Sequence, residues 1–128
     1  MKLLLNTHVL IWCTGNPEKL SEKVTNLLTD TNNYWLVSIA SIWAMQIKLQ
    51  IKKLNLALPL SELIESLRQT NDLQILPIKL NHIYTLQDLP NHHRDPFDRI
   101  LVAQAIVENI PLVSKDEIFD AYPIKKFW

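Results

Sequence analysis

Residues 3–12, LLLNTHVLIW, run three leucines into Asn6, then Thr7-His8, then a second apolar stretch. A short unbroken apolar run predicts a strand buried on both faces, and the polar break predicts a strand end just before a helix. In an open α/β sheet the residue at such a strand end faces the crevice where ligands bind. Asn6 therefore has three readings. It is a working residue of a site, a turn residue with no other duty, or the replacement of something more acidic.

The rest of the chain repeats this alternation. Apolar runs at Lys2–Leu5, Tyr34–Val37, Gln74–Ile78 and Pro111–Ser114 read as buried parallel strands, with a last one at Ile124–Trp128. Between them lie helical patterns. Ser21 can cap EKVTNLLTD, Ser38 can cap a segment reaching Ile51, and Ser61 can cap ELIESLRQT. Residues 81–89 read as a further helix, and Pro96–Glu108 carries the clearest helical spacing through Phe97, Ile100, Leu101, Ala105 and Val107. The expected fold is α/β: one domain over residues 1–128, a parallel sheet of four to five strands flanked by helices.

Composition narrows the function classes. Thirteen basic and thirteen acidic residues give zero net charge, so any nucleic-acid contact must come from a local patch rather than a global basic excess. The single glycine, Gly15, disfavours both the dinucleotide fingerprint and the phosphate-cradling loop. The single cysteine, Cys13, excludes an internal disulfide and lies in an apolar run, where it reads as a small buried hydrophobe. No stretch approaches the ~20 apolar residues of a membrane helix, and the expectation is a cytoplasmic protein with no membrane partner.

Two segments carry the chemistry. In HHRDPFDRILVAQA, residues 92–105, Asp95 caps a helix that Pro96 opens, and Asp98 stands in the first turn, where the helix dipole favours a carboxylate. Both aspartates can serve the helix alone, or Asp98 can reach across the sheet edge towards residue 6. In PLVSKDEIF, residues 111–119, Ser114 or Asp116 can cap a short helix, or Asp116 can face the same crevice. Carboxylates gathered in that way stay ionised with a hard cation such as Mg²⁺ or Mn²⁺ between them. His92, His93 and Arg94 precede the acidic helix start and are candidates for substrate phosphate contact. In SIASIWAMQIKLQIKKL, residues 38–54, core packing accounts for Trp43, Ile47 and Ile51, and a solvated face accounts for Lys48, Lys52 and Lys53, with a phosphate-facing patch as the alternative.

Taken in order, LLLNTHVLIW, VSIASIWAMQIK, LPNHHRDPFDRILVAQA, LVSKD and FDAYPIKKFW resemble the PIN-domain family, specifically the VapC-type toxins of bacterial toxin–antitoxin modules. The resemblance covers essentially the whole chain. It implies an endoribonuclease in which four acidic positions gather Mg²⁺ or Mn²⁺, and metal-bound water attacks the phosphodiester. It also implies a homodimer, an RNA substrate and a cognate antitoxin that masks the site. Asp98 and Asp116 match two of the acidic positions, and Asp95 is a further carboxylate nearby. Thr7, Asp95, His93, Arg94 and Ser114 are the candidate substrate contacts.

The other two acidic positions do not match. Where the family pattern at the first strand reads Leu-Asp-Thr-His, this chain has Asn6. Where the pattern Ser-x-Trp-Glu places a glutamate, it has Ala44. Asn6 still offers a neutral carbonyl oxygen, and Ala44 offers nothing. Magnesium binds through few protein carboxylates, so losing two of them predicts weak metal binding and slow or absent cleavage. Either the chain is a naturally degenerate member or its site was changed deliberately so that the host survives producing it. Thr7, His8, Trp43 and HHRDPFDR are intact around both positions, which favours deliberate change over drift. The rival reading is a non-catalytic PIN-fold module that keeps antitoxin or RNA association. A phospho-accepting α/β signalling domain is a third reading, and HHRDPFDR argues against it.

Overall fold

The computed structural model describes every residue except position 93. Its five strands are β1 (Lys2–Leu5), β2 (Tyr34–Ser38), β3 (Gln74–Leu76), β4 (Leu112–Val113) and β5 (Lys126–Phe127). They form one fully parallel sheet in the order β3-β2-β1-β4-β5. The helices are α1 (Thr7–Gly15), α2 (Glu22–Thr29), α3 (Ile39–Gln50), α4 (Leu60–Thr70), α5 (Leu80–Thr85) and α6 (Pro96–Glu108), with short 3₁₀ turns at Pro17–Lys19, Leu86–Asp88 and Glu117–Ala121. The expected α/β architecture is present.

The period of two along each strand sorts its side chains into two layers. Leu3, Leu5, Trp35, Val37, Val113 and Phe127 point to one face, where Val9 and Leu10 of α1, Val24 and Leu28 of α2, and Leu63 and Leu67 of α4 cover them. Leu4, Leu36 and Leu112 point to the other, against Leu101, Val102 and Ala105 of α6 and Phe119. The strands are unbroken apolar runs because both faces are buried.

The chain winds from β1 outward through β2 to β3, then returns to place β4 on the other side of β1. The switch in winding direction therefore falls between β1 and β4, the position at which open α/β sheets form their binding crevice. The register pairs Leu5 with Val113, so the next residues, Asn6 and Ser114, leave the sheet side by side.

Several local expectations need correction. Ser61 does not cap α4: the first turn closes when the Leu63 N–H donates to the Pro59 carbonyl at 3.0 Å, and the helix begins at Leu60 with no side-chain cap. The strands expected at 74–78, 111–114 and 124–128 are shorter, because only residues 74–76, 112–113 and 126–127 find a paired neighbour. The helix expected at 81–89 starts at Leu80 and tightens into a 3₁₀ turn after Thr85. Trp43 and Ile51 are not core residues: they are 60% and 55% exposed, since α3 buries Ala40, Ser41 and Met45 instead. Cys13 is half-buried and free, its Sγ–H donates to the Leu10 carbonyl, and burial pushes its thiol pKa up to about 11. Among the described residues no helix is long and apolar enough to cross a membrane.

Candidate active site

Asn6 holds the centre of the switch point. Its backbone is extended, its N–H donates to the Val113 carbonyl at 3.0 Å, and its own carbonyl accepts the first helical bonds from Val9 and Leu10. The side chain is 6% exposed and fully engaged. Its Oδ1 accepts from the Thr7 N–H at 2.8 Å, capping α1, and its Nδ2 donates to Ser114 Oγ at 3.0 Å. Ser114 Oγ in turn accepts from the Asp116 N–H at 3.1 Å. One buried hydroxyl thus ties the end of β1 to the turn that presents Asp116. The Asp116 carboxylate then caps the 3₁₀ turn through the Ile118 N–H at 3.1 Å.

The loop after β4 is held a second time by His8, whose Nε2 accepts from the Lys115 N–H at 3.1 Å. That bond requires an unprotonated Nε2. Burial lowers the His8 pKa below its ordinary value, and the Lys115 and Lys48 cations lower it further against the opposing pull of Asp116. The His8 ring also packs at 4.9 Å from Trp12 and 6.1 Å from Trp128.

A cleft of about 620 Å³ opens over this edge. Asn6, Thr7 and His8 line one side, Asp95, Phe97 and Asp98 line another, and Asp116 stands at the β4 end. Asp95 caps α6 as its sequence implied, Oδ1 accepting from the Phe97 N–H at 2.9 Å and the Asp98 N–H at 3.4 Å. The third wall is α3, which presents Ser41, Ala44, Ile47, Lys48 and Ile51 at helical spacing. Ser41 is 1% exposed and its hydroxyl has no hydrogen-bond partner among the described residues. An orphaned buried hydroxyl one turn from Ala44 marks a place on the wall where a polar partner is missing.

The residues singled out from the sequence do not all meet. Asn6, Thr7, Ala44, Asp95, Asp98 and Asp116 line one cleft, and Ser114 supports it from below. Arg94 is exposed and does not line the cleft, and His93 lies outside the described residues. His92 packs its ring at 5.3 Å from Tyr122 rather than entering the cleft. Lys48 and Lys53, read from sequence as a solvated face, line it, and Lys52 does not. His8 and Ser41 were not singled out. The only signal for them was their place beside the strand end and within the pattern Ser-x-Trp-Glu.

The side chains do not fit a divalent cation as they stand. Among the described residues no group of three or more His, Cys, Asp or Glu side chains is close enough to share one. The Asn6 amide already spends its oxygen on a helix cap and its nitrogen on Ser114, and position 44 ends at a methyl group. What remains is a cleft that keeps its shape and has few carboxylates.

Comparison with known proteins agrees with this fold. The VapBC2 structure from Rickettsia felis, bound to a DNA fragment from its promoter, superposes with a TM-score of 0.71 at 17% identity, covering 99% of this chain and 98% of that one. FitAcB from Neisseria gonorrhoeae gives 0.65 at 19% identity, covering 98% and 96%. VapBC-5 from Mycobacterium tuberculosis, of the VapBC family of toxin–antitoxin systems, gives 0.58 at 14% identity, covering 94% and 89%. Comparison with curated protein sequences returned no match. The family model described as PIN domain matches residues 3–125, nearly the full length, with the strand-end cleft inside the match. This chain belongs to the PIN domain family.

Proposed function

We propose that the chain, taken as one domain over residues 1–128, is the toxin-type ribonuclease scaffold of a toxin–antitoxin module whose cleavage is impaired by Asn6 and Ala44. The observation that carries this reading is the convergence of Asn6, Ala44, Asp98 and Asp116 on one cleft at the winding switch. Unrelated helix caps would have no reason to meet there. Two of the four positions are carboxylates, and the other two keep the frame without the charge. The chemistry expected of such a site is RNA hydrolysis with Mg²⁺ or Mn²⁺. The present side chains do not fit the ion.

The fold shared with VapBC structures supports a cognate antitoxin as the principal protein partner. A homodimer and a cytoplasmic setting belong to the same proposed reading. Zero net charge suits a protein whose tightest partner is another protein. The second reading, a non-catalytic binding module, is favoured by the fully satisfied Asn6 network, which preserves the cleft's shape.

The test is restoration. Asn6→Asp with Ala44→Glu is expected to cut RNA in Mg²⁺ or Mn²⁺ and to lose that activity in chelator. A folded double variant that leaves every RNA intact contradicts the ribonuclease reading and leaves the binding module standing.

A further inference from the structure

The α3 wall ends in a left-handed turn that closes the helix and leads on to Leu54. Lys52 holds φ at 61°, in the left-handed region that L residues other than Asn and Asp seldom enter. The turn it makes lets the Lys53 N–H donate to the Lys48 carbonyl at 2.8 Å and the Lys52 N–H to the Leu49 carbonyl at 3.2 Å. The chain is thereby folded back so that Lys53 sits beside the last turn of α3. Lys53 thereby lines the cleft together with Lys48, which helical spacing along α3 already places there, while Lys52 between them does not. Neither ammonium forms an ion pair among the described residues.

Three carboxylates, Asp95, Asp98 and Asp116, face these two lysines in the cleft. Acids at positions 6 and 44 would raise the negative side to five and make a cation necessary before a phosphate could approach. Without them the two sides are nearly balanced. We propose that Lys48 and Lys53 form a phosphodiester clamp that holds single-stranded RNA in this cleft without a divalent ion. The choice of RNA rests on the ribonuclease-scaffold reading above. A flexible polyanion can lay successive phosphates along the lysine wall and release their counterions without entering the carboxylate wall opposite.

Fluorescence anisotropy with a short fluorescein-labelled single-stranded RNA of mixed sequence, in EDTA, tests the clamp. The unaltered chain is expected to bind saturably. Lys48→Ala with Lys53→Ala should weaken binding by about 10-fold or more at low salt and reduce the slope of log K against log salt by about 1.4, the value for two phosphate contacts on a single strand. Lys2→Ala, an exposed lysine at the opposite end of β1, should change neither quantity. Asn6→Asp with Ala44→Glu should weaken binding in EDTA and regain it when Mg²⁺ is added.

The clamp is overturned if the folded lysine double variant binds RNA with unchanged affinity and slope, or if the unaltered chain binds only after Mg²⁺ is added. Loss of binding to an acidic peptide with RNA binding intact overturns it too, and assigns the lysines to a protein partner. The two readings fail separately. A restored chain that cleaves RNA with no contribution from the lysines sinks only the clamp, and an inert restored chain that still binds through them sinks only the ribonuclease scaffold.

Discussion

The two walls of the cleft differ at the two positions proposed to have lost an acid. At the β1–β4 edge, Asn6 is buried, both of its polar atoms are partnered, and the network runs on through Ser114 to Asp116. On α3, Ala44 leaves the Ser41 hydroxyl buried with no hydrogen bond. An amide is close in shape to a carboxylate and accepts from the Thr7 N–H as a carboxylate can, while its Nδ2 donates to Ser114; a methyl group makes no hydrogen bond. On the proposed reading, one replacement is silent in the structure and the other leaves a trace. Charge can thus be removed from a site without disturbing its geometry, provided the new side chain still satisfies the backbone groups around it.

The largest effect expected from this contrast is on catalysis. Groups that act as a unit are strongly non-additive, so Asn6→Asp alone or Ala44→Glu alone should recover only a small part of the RNA cleavage of the double variant. Nearly full activity in either single variant would show that the walls act independently. Initial rates on a labelled RNA decide between these outcomes.

Stability separates the walls next. Ser114→Ala strips Asn6 Nδ2 and the Asp116 N–H of their shared partner and should cost about 1–3 kcal/mol in urea unfolding. Ser41→Ala removes a hydroxyl that has nothing to lose and should stay within about 0.5 kcal/mol of the unaltered chain, on either side. In an Ala44→Glu background the same Ser41→Ala change should become measurably destabilising, because the restored carboxylate gives the hydroxyl an acceptor. Equal costs for the two serines in the unaltered chain would erase the comparison.

A polar pair outside the cleft gives a reference for these values. His82, fully buried on α5, accepts from the Lys79 N–H through Nδ1 and donates from Nε2 to Glu108 Oε1 at 2.9 Å. That hydrogen bond, aided by Lys79, holds the Glu108 carboxyl below its ordinary value against a smaller desolvation effect. A carboxyl depressed in the fold stabilises it above the unfolded pKa of about 4.3 and loses that contribution as pH falls through the folded value. Glu108→Ala should therefore destabilise the chain by about 1–3 kcal/mol at neutral pH, and the difference should shrink at the acid end of a pH series. A gap that is constant across that series would remove the assigned cause.

Much of the fold is legible in the sequence because its strands are buried on both faces. LLL at 3–5 and LV at 112–113 have no amphipathic alternative, and Asp95-Pro96 marks a helix start by backbone chemistry alone. Strand lengths were less legible, since pairing with a neighbour fixes them rather than local pattern. Trp43 and Ile51 misled for a related reason: apolar spacing identifies a helix face, but only packing decides whether a neighbour covers it. In the site, Asn6, Ala44, Asp98 and Asp116 could be placed from motif positions. The sequence offered Lys48, Lys52 and Lys53 together as an alternative patch. That Lys53 and not Lys52 lines the cleft depends on the left-handed Lys52, where no glycine announces the turn.

On the proposed reading, the side chains at positions 6 and 44, and not a collapsed cleft, make this chain a poor metal binder. Calorimetric titration with Mn²⁺ measures this directly. Loss of an outer-shell partner alone weakens metal sites by about 10–100-fold, so restoring two direct carboxylates in Asn6→Asp with Ala44→Glu should tighten binding by at least about 100-fold over the unaltered chain. Equal Mn²⁺ affinity in the two proteins would contradict the account.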